Sequence, residues 1–250
     1  MNVVKIKNLT IGEGRPKICI PVMGRVDEEI IFEVSKCNRS QIDLIEVRID
    51  YYKYIQDDNR ILNILSQIRK IYNKPIIYTF RSFKEGGFCQ INDEKYFHIN
   101  KLAIESGYID IIDVELFRPE TITKELIKIA HKNNTKVLMS NHDFDKTIDR
   151  DMIISRLCKM QDMNVDITKI ALMPQNEKDV LDLLYASLEM KNKYADRPFI
   201  TISMGSLGKI SRVVGEIFGS AITFGTIDKS SAPGQINMVD LNNILEILSL

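Results

Sequence analysis

The stretch DITKIALMP, residues 166–174, decides the fold. From Ile167 to Met173 it is a short apolar run closed by Pro174, the pattern of a β-strand buried on both faces. Lys169 sits inside it. An ammonium there gives up its water, and a strand has few ways to carry it back to solvent. Any architecture built around this strand must account for that lysine.

Seven other runs share its character. They are KICIPVM (17–23), DLIEVRI (43–49), PIIYTF (75–80), IDIIDVEL (109–116), KVLMSN (136–141), FITISM (199–204) and AITFGTI (221–227). Together with 167–173 they begin 26, 32, 34, 27, 31, 32 and 22 residues apart. Helical patterns fill the gaps. NRILNILSQIRKIYN sets Ile61, Leu65 and Ile68 on one face, and DEKYFHINKLAIESG stops at Gly107. NEKDVLDLLYASLEMKNKY opens on Asn176 as N-cap, and its Val180, Leu184 and Leu188 share a face. ISRVVGEIFGS and MVDLNNILEILSL complete the series. Eight strand–helix units in 250 residues predict an α/β fold of the (β/α)8 TIM-barrel type. The leading VVKIKNLTIG predicts a short N-terminal β-hairpin closing the barrel floor. No linker interrupts the pattern, so residues 1–250 read as one barrel domain. A doubly wound open sheet is the alternative, but no GxGxxG follows the first strand.

Composition narrows the function. The chain carries 34 basic and 34 acidic residues, so no basic excess recruits nucleic acid. No stretch approaches the ~20 apolar residues of a membrane span, and the first residues do not read as a signal peptide. A cytoplasmic protein is expected. Cys19, Cys37, Cys89 and Cys158 are scattered and read as free thiols, and His98, His131 and His142 are too dispersed for a metal cluster.

Barrels of this type hold their chemistry at the C-terminal ends of the strands. The polar residues there are Glu46 and Arg48, which alternate and share a face, then Arg81, Glu85, His142, Lys169, Arg212, Ser231 and Gln235. Each has an ordinary explanation. Glu46 and Arg48 could form a structural ion pair, His142 a loop hydrogen bond, and Arg212 a helix surface. SAPGQ could be a turn, and Lys169 could pair with Glu46. Convergence on one barrel mouth favours chemistry instead. Lys169, Ala171 and Met173 face inward, while Ile170 and Leu172 pack on the helices. Burial disfavours the charged amine, and nearby arginines push the same way. A neutral amine attacks a ketone or aldehyde, which points to a Schiff base. His142 can serve as the base that an imine-activated carbon requires, with Glu85 orienting the ring. Arg48, Arg81 and Arg212 call for an anionic substrate, and Arg212 near a helix start suits a carboxylate. Glu46, Ser231 and Gln235 can bind hydroxyls.

These motifs, from IGEGRPKICIPVMG through DLIEVRID, TFRSFKEGG, DIIDVEL, SNHDF, MNVDITKIALMPQ, YADRPFITISMG and ISRVVGEIFGSAITFG to SAPGQI, run in order over nearly the whole chain. The chain resembles the type I 3-dehydroquinate dehydratases of the shikimate pathway. The resemblance implies a homodimeric barrel that reversibly converts 3-dehydroquinate, a small-molecule substrate, to 3-dehydroshikimate with no metal or organic cofactor. It implies that Lys169 forms the imine at the C3 ketone, that His142 takes the C2 proton and assists loss of the C1 hydroxyl, and that Glu85 positions His142. It implies that Arg212 clamps the carboxylate, that Glu46, Arg48, Arg81, Ser231 and Gln235 bind substrate, and that the SAPGQ loop excludes water. Two positions depart from the pattern. Pro21 stands where some members carry a substrate-contacting serine, and Ile202 where some carry methionine. A class I aldolase and a catalytically silent metabolite-binding barrel are the rival readings.

Overall fold

The computed structural model describes residues 2–39, 41–228 and 230–250. A hairpin of β1 (Val4–Ile6) and β2 (Leu9–Ile11) comes first. Eight strand–helix units follow: β3 (Lys17–Val22) and α1 (Asp27–Lys36), β4 (Leu44–Arg48) and α2 (Asp58–Ile71), β5 (Ile76–Thr79) and α3 (Asp93–Glu105), β6 (Ile111–Glu115) and α4 (Glu120–Lys132). The second half has β7 (Lys136–Asp143) and α5 (Arg150–Asp162), β8 (Ile167–Leu172) and α6 (Glu177–Glu189), β9 (Phe199–Ser203) and α7 (Gly215–Phe218), and β10 (Ile222–Thr226). A two-residue strand, β11 (Ile236–Asn237), precedes α8 (Met238–Ile247).

The eight long strands are parallel, each hydrogen-bonded to the next, with β10 returning to β3. The curled sheet closes between β9 and β10, where Phe199 bridges Ser220 and Ala221 N donates to Phe199 O at 2.8 Å. All eight predicted runs fall on these strands, to within two residues at either end. The predicted barrel with its hairpin is therefore the observed architecture, and the open-sheet alternative fails at the seam.

Period-two alternation sorts the side chains. Inward positions supply one apolar residue from each long strand: Cys19, Leu44, Ile77, Ile111, Leu138, Ile167, Ile200 and Ile222. Val4, Ile6 and Ile11 of the hairpin pack against this set and close the floor. Outward positions such as Ile45, Tyr78, Ile112, Ile170 and Leu172 join a second core under the helices.

The helices follow their local signals with two exceptions. Asn176 caps α6 through Asp179 N, as its sequence predicts, and Gly107 takes the left-handed φ of +71° after α3. On α6, however, the buried face is Val180, Leu183, Ala186 and Ser187, and Leu184 and Leu188 lie at its margin. The ISRVVGEIFGS pattern is also not one helix. A 3-10 turn over Leu207–Arg212 precedes the four-residue α7, because this segment must fold back against the end of β9. Ser211 there donates to Gly208 O and accepts from Ser203 N. No helix among the described residues is long and apolar enough to cross a membrane.

Ile11 is fully buried in the barrel floor. Ile11→Ala is expected to cost ~2–5 kcal/mol, read as a lower urea midpoint. An unchanged midpoint would mean that the hairpin does not hold the floor shut.

Candidate active site

Moving up by two residues from the apolar floor, the interior turns polar on five of the eight strands. It shows Glu46 on β4, Thr79 on β5, Asp113 on β6, Ser140 on β7 and Lys169 on β8. Two residues higher stand Arg48, Arg81, Glu115, His142 and Ala171. The barrel is thus a greasy plug under a charged layer, and the charged layer faces the C-terminal mouth.

Lys169 is 5% exposed. Its Nζ lies 3.7 Å from Glu46 Oε1, beyond a hydrogen bond, and 4.0 Å from the centroid of the Phe224 ring. Burial pulls its pKa below the ordinary lysine range, Glu46 and Asp113 pull it back up, and Arg81 adds to the fall. Burial and a neighbouring arginine therefore act in the direction expected of them, and the opposing carboxylates are the addition. Dryness lowers it, only one arginine contributes among the leading causes, and two carboxylates oppose.

His142 Nδ1 lies 3.0 Å from Glu85 Oε2, and the same oxygen accepts from His142 N at 2.9 Å. Asn141 Nδ2 donates to Glu85 Oε1 at 3.2 Å, and Asn141 Oδ1 accepts from Arg156 Nη1 of α5 at 2.7 Å. The arginine can only donate, so it fixes which way the Asn141 amide points. Burial pushes His142 well below its ordinary pKa, with Arg81, Lys169 and Arg48 adding. Burial, then Glu115, pushes Glu85 up to about 8 against the pull of Arg81. Both shifts disfavour an imidazolium–carboxylate pair.

The three arginines differ sharply. Arg48 is gripped by Asp50, whose oxygens accept from Nε and Nη2 at 2.8 Å each, rather than by Glu46. Arg81 donates to Asp113 at 2.5 Å, Glu115 at 3.2 Å and Ser140 Oγ at 2.8 Å. Burial works against the charge of Arg81, but Asp113, Glu115 and Glu85 outweigh it and raise its pKa. Arg212 is as buried, at 2% exposed, yet among the described residues no carboxylate meets it. Its partners are two carbonyls, Phe224 O at 3.4 Å and Pro233 O at 3.0 Å, and its Nε is buried without an acceptor. Burial alone drives its pKa down to about 10. It ends the 3-10 turn instead of opening a helix, so the expected helix-dipole assistance is absent.

The SAPGQ loop folds over these groups. Gly205 N donates to Pro233 O at 3.1 Å, and Gln235 Nε2 donates to Ser231 Oγ at 2.8 Å. Gly234 has φ +78°, and a Cβ there would sit 2.1 Å from Gly205 O, so only glycine lets the loop come down this far.

One pocket, with about 460 Å³ of empty space, collects all nine predicted site residues: Glu46, Arg48, Arg81, Glu85, His142, Lys169, Arg212, Ser231 and Gln235. Ile202, Met204 and Phe224 line it as well. Pro21 is the strand partner of Glu46 but borders a neighbouring cleft along α1 instead. Sequence reading missed Asp50, Asp113, Glu115, Asn141, Arg156 and Phe224. Alternation from Ile111 would have exposed Asp113 and Glu115.

A closed (β/α)8 barrel with its ionisable side chains gathered at the C-terminal mouth is the plan of a barrel enzyme. The family model of Type I 3-dehydroquinase matches residues 18–250. The curated 3-dehydroquinate dehydratase of Clostridioides difficile (strain 630) is 48% identical over 246 residues, 98% of this chain and 96% of that protein. The protein of the same description from Syntrophotalea carbinolica is 44% identical over 251 residues, covering 100% and 99%. Among solved structures, the type I 3-dehydroquinate dehydratase from Clostridium difficile with covalent modified comenic acid superposes with a TM-score of 0.96 at 47% identity, over 99% of this chain and 97% of that one. The 3-hexulose-6-phosphate synthase of Salmonella typhimurium, at 13% identity, TM-score 0.60 and coverage of 92% and 99%, shares the fold alone. The chain belongs to the type I 3-dehydroquinase family, and its activity is that of a 3-dehydroquinate dehydratase, a hydro-lyase.

The sign of the Glu46 effect is testable. Its charge holds the Lys169 pKa up, so E46Q should lower it further. Carbamylation of Lys169 by cyanate, followed by peptide mass spectrometry across pH, is expected to show a midpoint below the ~10.4 of a free lysine. In E46Q the midpoint should be lower still, and an upward move would contradict the assignment.

Proposed function

We propose that the chain dehydrates 3-dehydroquinate through an imine on Lys169, with His142 as general acid and base. The observation that carries this reading is the dry Lys169 amine, which among the described residues has no hydrogen-bonded counter-ion, in one pocket with His142. Nζ attacks the C3 ketone, and water leaves as the imine forms. The imine draws electrons from the neighbouring bond, so His142 can take the C2 proton. The same ring then returns a proton to the C1 hydroxyl, which leaves as water. Addition of water to the imine releases 3-dehydroshikimate and restores the amine.

Binding follows from charge. Arg212, which no carboxylate meets among the described residues, is assigned the substrate carboxylate. Glu85 holds the ring of His142. Arg48, Glu46, Ser231 and Gln235 are assigned the hydroxyls. Arg81, already bonded to Asp113, Glu115 and Ser140, contributes the wall of the pocket and any remaining N–H. That a similar enzyme carries covalent modified comenic acid fits a nucleophile in this pocket. Residues 1–250 are proposed to form one domain, paired as a homodimer on the family resemblance, in the cytoplasm, where four free thiols are at home.

Incubation with 3-dehydroquinate and borohydride is expected to leave a reduced adduct on Lys169 and none in Lys169→Ala. His142→Ala should still form the adduct while losing ~10²–10⁴-fold in turnover. Wild-type turnover by Lys169→Ala would overturn the mechanism, and near-normal turnover by His142→Ala would remove the ring from it.

Calorimetry should give one unfolding transition, and sedimentation equilibrium twice the mass of one chain. Two separated transitions would divide the domain, and the mass of a single chain would exclude the dimer.

A further inference from the structure

Asp50 has no part in the steps above, yet it is among the most deeply buried charges in the molecule, at 1% exposed. It sits in the single turn Ile49–Tyr51 that follows β4. Its carboxylate accepts from Arg48 Nε and Nη2 at 2.8 Å, from Phe88 N at 3.0 Å and, more weakly, from Arg81 N at 3.4 Å. One side chain therefore ties together the ends of β4 and β5 and the loop that carries Glu85.

The guanidinium of Arg48 is held on a second side. It lies 5.2 Å from the centroid of the Tyr51 ring, and Tyr51 stacks on Phe88 at 5.0 Å. Arg25 covers the other face of that stack, 4.8 Å from the Phe88 ring. Among the described residues no acceptor holds Arg48 Nη1, and Arg48 lines the pocket. The loop beyond Glu85 runs hard against the end of β5, since a Cβ on Gly87 would lie 1.8 Å from Arg81 O. Phe88 N is where Asp50 pins that approach.

We infer that Asp50 is a positioning residue for substrate binding: its two-pronged grip turns the free Nη1 edge of Arg48 into the pocket. A fork held on its Nε–Nη2 edge and its face has one direction left in which to donate. The inference deepens the reading given above and rests on Arg48 touching the substrate.

Asp50→Asn keeps the size of the side chain but removes the charge and one acceptor. It is expected to raise KM about tenfold and leave kcat within about twofold. The pH profile of kcat and the borohydride adduct on Lys169 should not change. Arg48→Ala should raise KM by itself. Adding Asp50→Asn to Arg48→Ala should leave KM where it was and raise the thermal midpoint, because the single variant strands a buried carboxylate. If Arg48→Ala binds substrate normally, the role of Arg48 is wrong and the inference falls with it. If Arg48→Ala weakens binding but Asp50→Asn does not, or if the two effects multiply, Arg48 stands and Asp50 is excluded as its positioning residue. Should Asp50→Asn not fold, Asp50→Glu keeps the charge and displaces the fork. It must raise KM, and a wild-type KM there overturns the inference.

Discussion

The structure depends on one constraint: charge enters the interior of a closed barrel only where other charge receives it. Transfer of an isolated ion out of water is costly enough that most such groups change protonation state or find a partner. The inward positions obey this in layers. The lowest is apolar and sealed by the hairpin. The next holds Lys169 opposite Glu46, with Asp113 beside Arg81. Lys169 is the least firmly held of these. Arg81 is fixed by three short bonds to Asp113, Glu115 and Ser140, whereas Nζ meets Glu46 only at 3.7 Å and an aromatic face at 4.0 Å. A tight salt bridge would keep the amine protonated and inert. An apolar slot would demand deprotonation but give the proton nowhere to rest. The looser contact allows both forms.

Much of this was legible because barrel strands are read by two simple rules. Buried parallel strands are continuous apolar runs, so a polar residue inside one stands out, and inward side chains recur every second residue. Those rules found Lys169, Glu46 and Arg48 and placed Ala171 inward and Ile170 outward, where they are. They did not reveal how charges pair, because pairing crosses strands that are distant in sequence. Glu46 and Arg48 looked like natural partners two residues apart. The sheet instead turns Glu46 towards Lys169 and Thr79, and the turn after β4 brings Asp50 under Arg48. Arg212 was misplaced for a local reason. Its segment has helical composition, but Ser211 is drawn into bonds with Ser203 and Gly208 against the end of β9, which tightens the chain to a 3-10 turn. On α6, a one-face pattern through Leu184 and Leu188 missed the rotation that puts Leu183 and Ser187 inside, where Ser187 Oγ meets Thr201 Oγ1 at 2.6 Å.

The contact between Glu85 and His142 shows how position outweighs residue type. His98, His131 and His142 each contact a carboxylate: Asp58, Asp166 and Glu85. His98 and His131 do so at the surface or near it, where the pairing is screened. Only His142 does so inside the charged layer, and only there do Arg81, Lys169 and Arg48 all oppose protonation of the ring. The fall in its pKa is a property of the layer, set by burial and by those three cations. What Glu85 supplies is direction. With one oxygen fixed by His142 N and the other by an Asn141 amide that Arg156 holds in place, it can receive the ring in one orientation only.

Arg212 is the exception to the opening constraint, and the exception explains the loop above it. A buried guanidinium whose partners among the described residues are both carbonyls is under-compensated, and burial lowers its pKa. One of the two carbonyls, Pro233 O, belongs to SAPGQ, and the same oxygen accepts from Gly205 N. The loop therefore reaches its place over the pocket by helping to satisfy a cation that the barrel leaves short of negative charge. A ligand carboxylate would supply that charge in full, and the pocket around it would become electrically complete only when occupied.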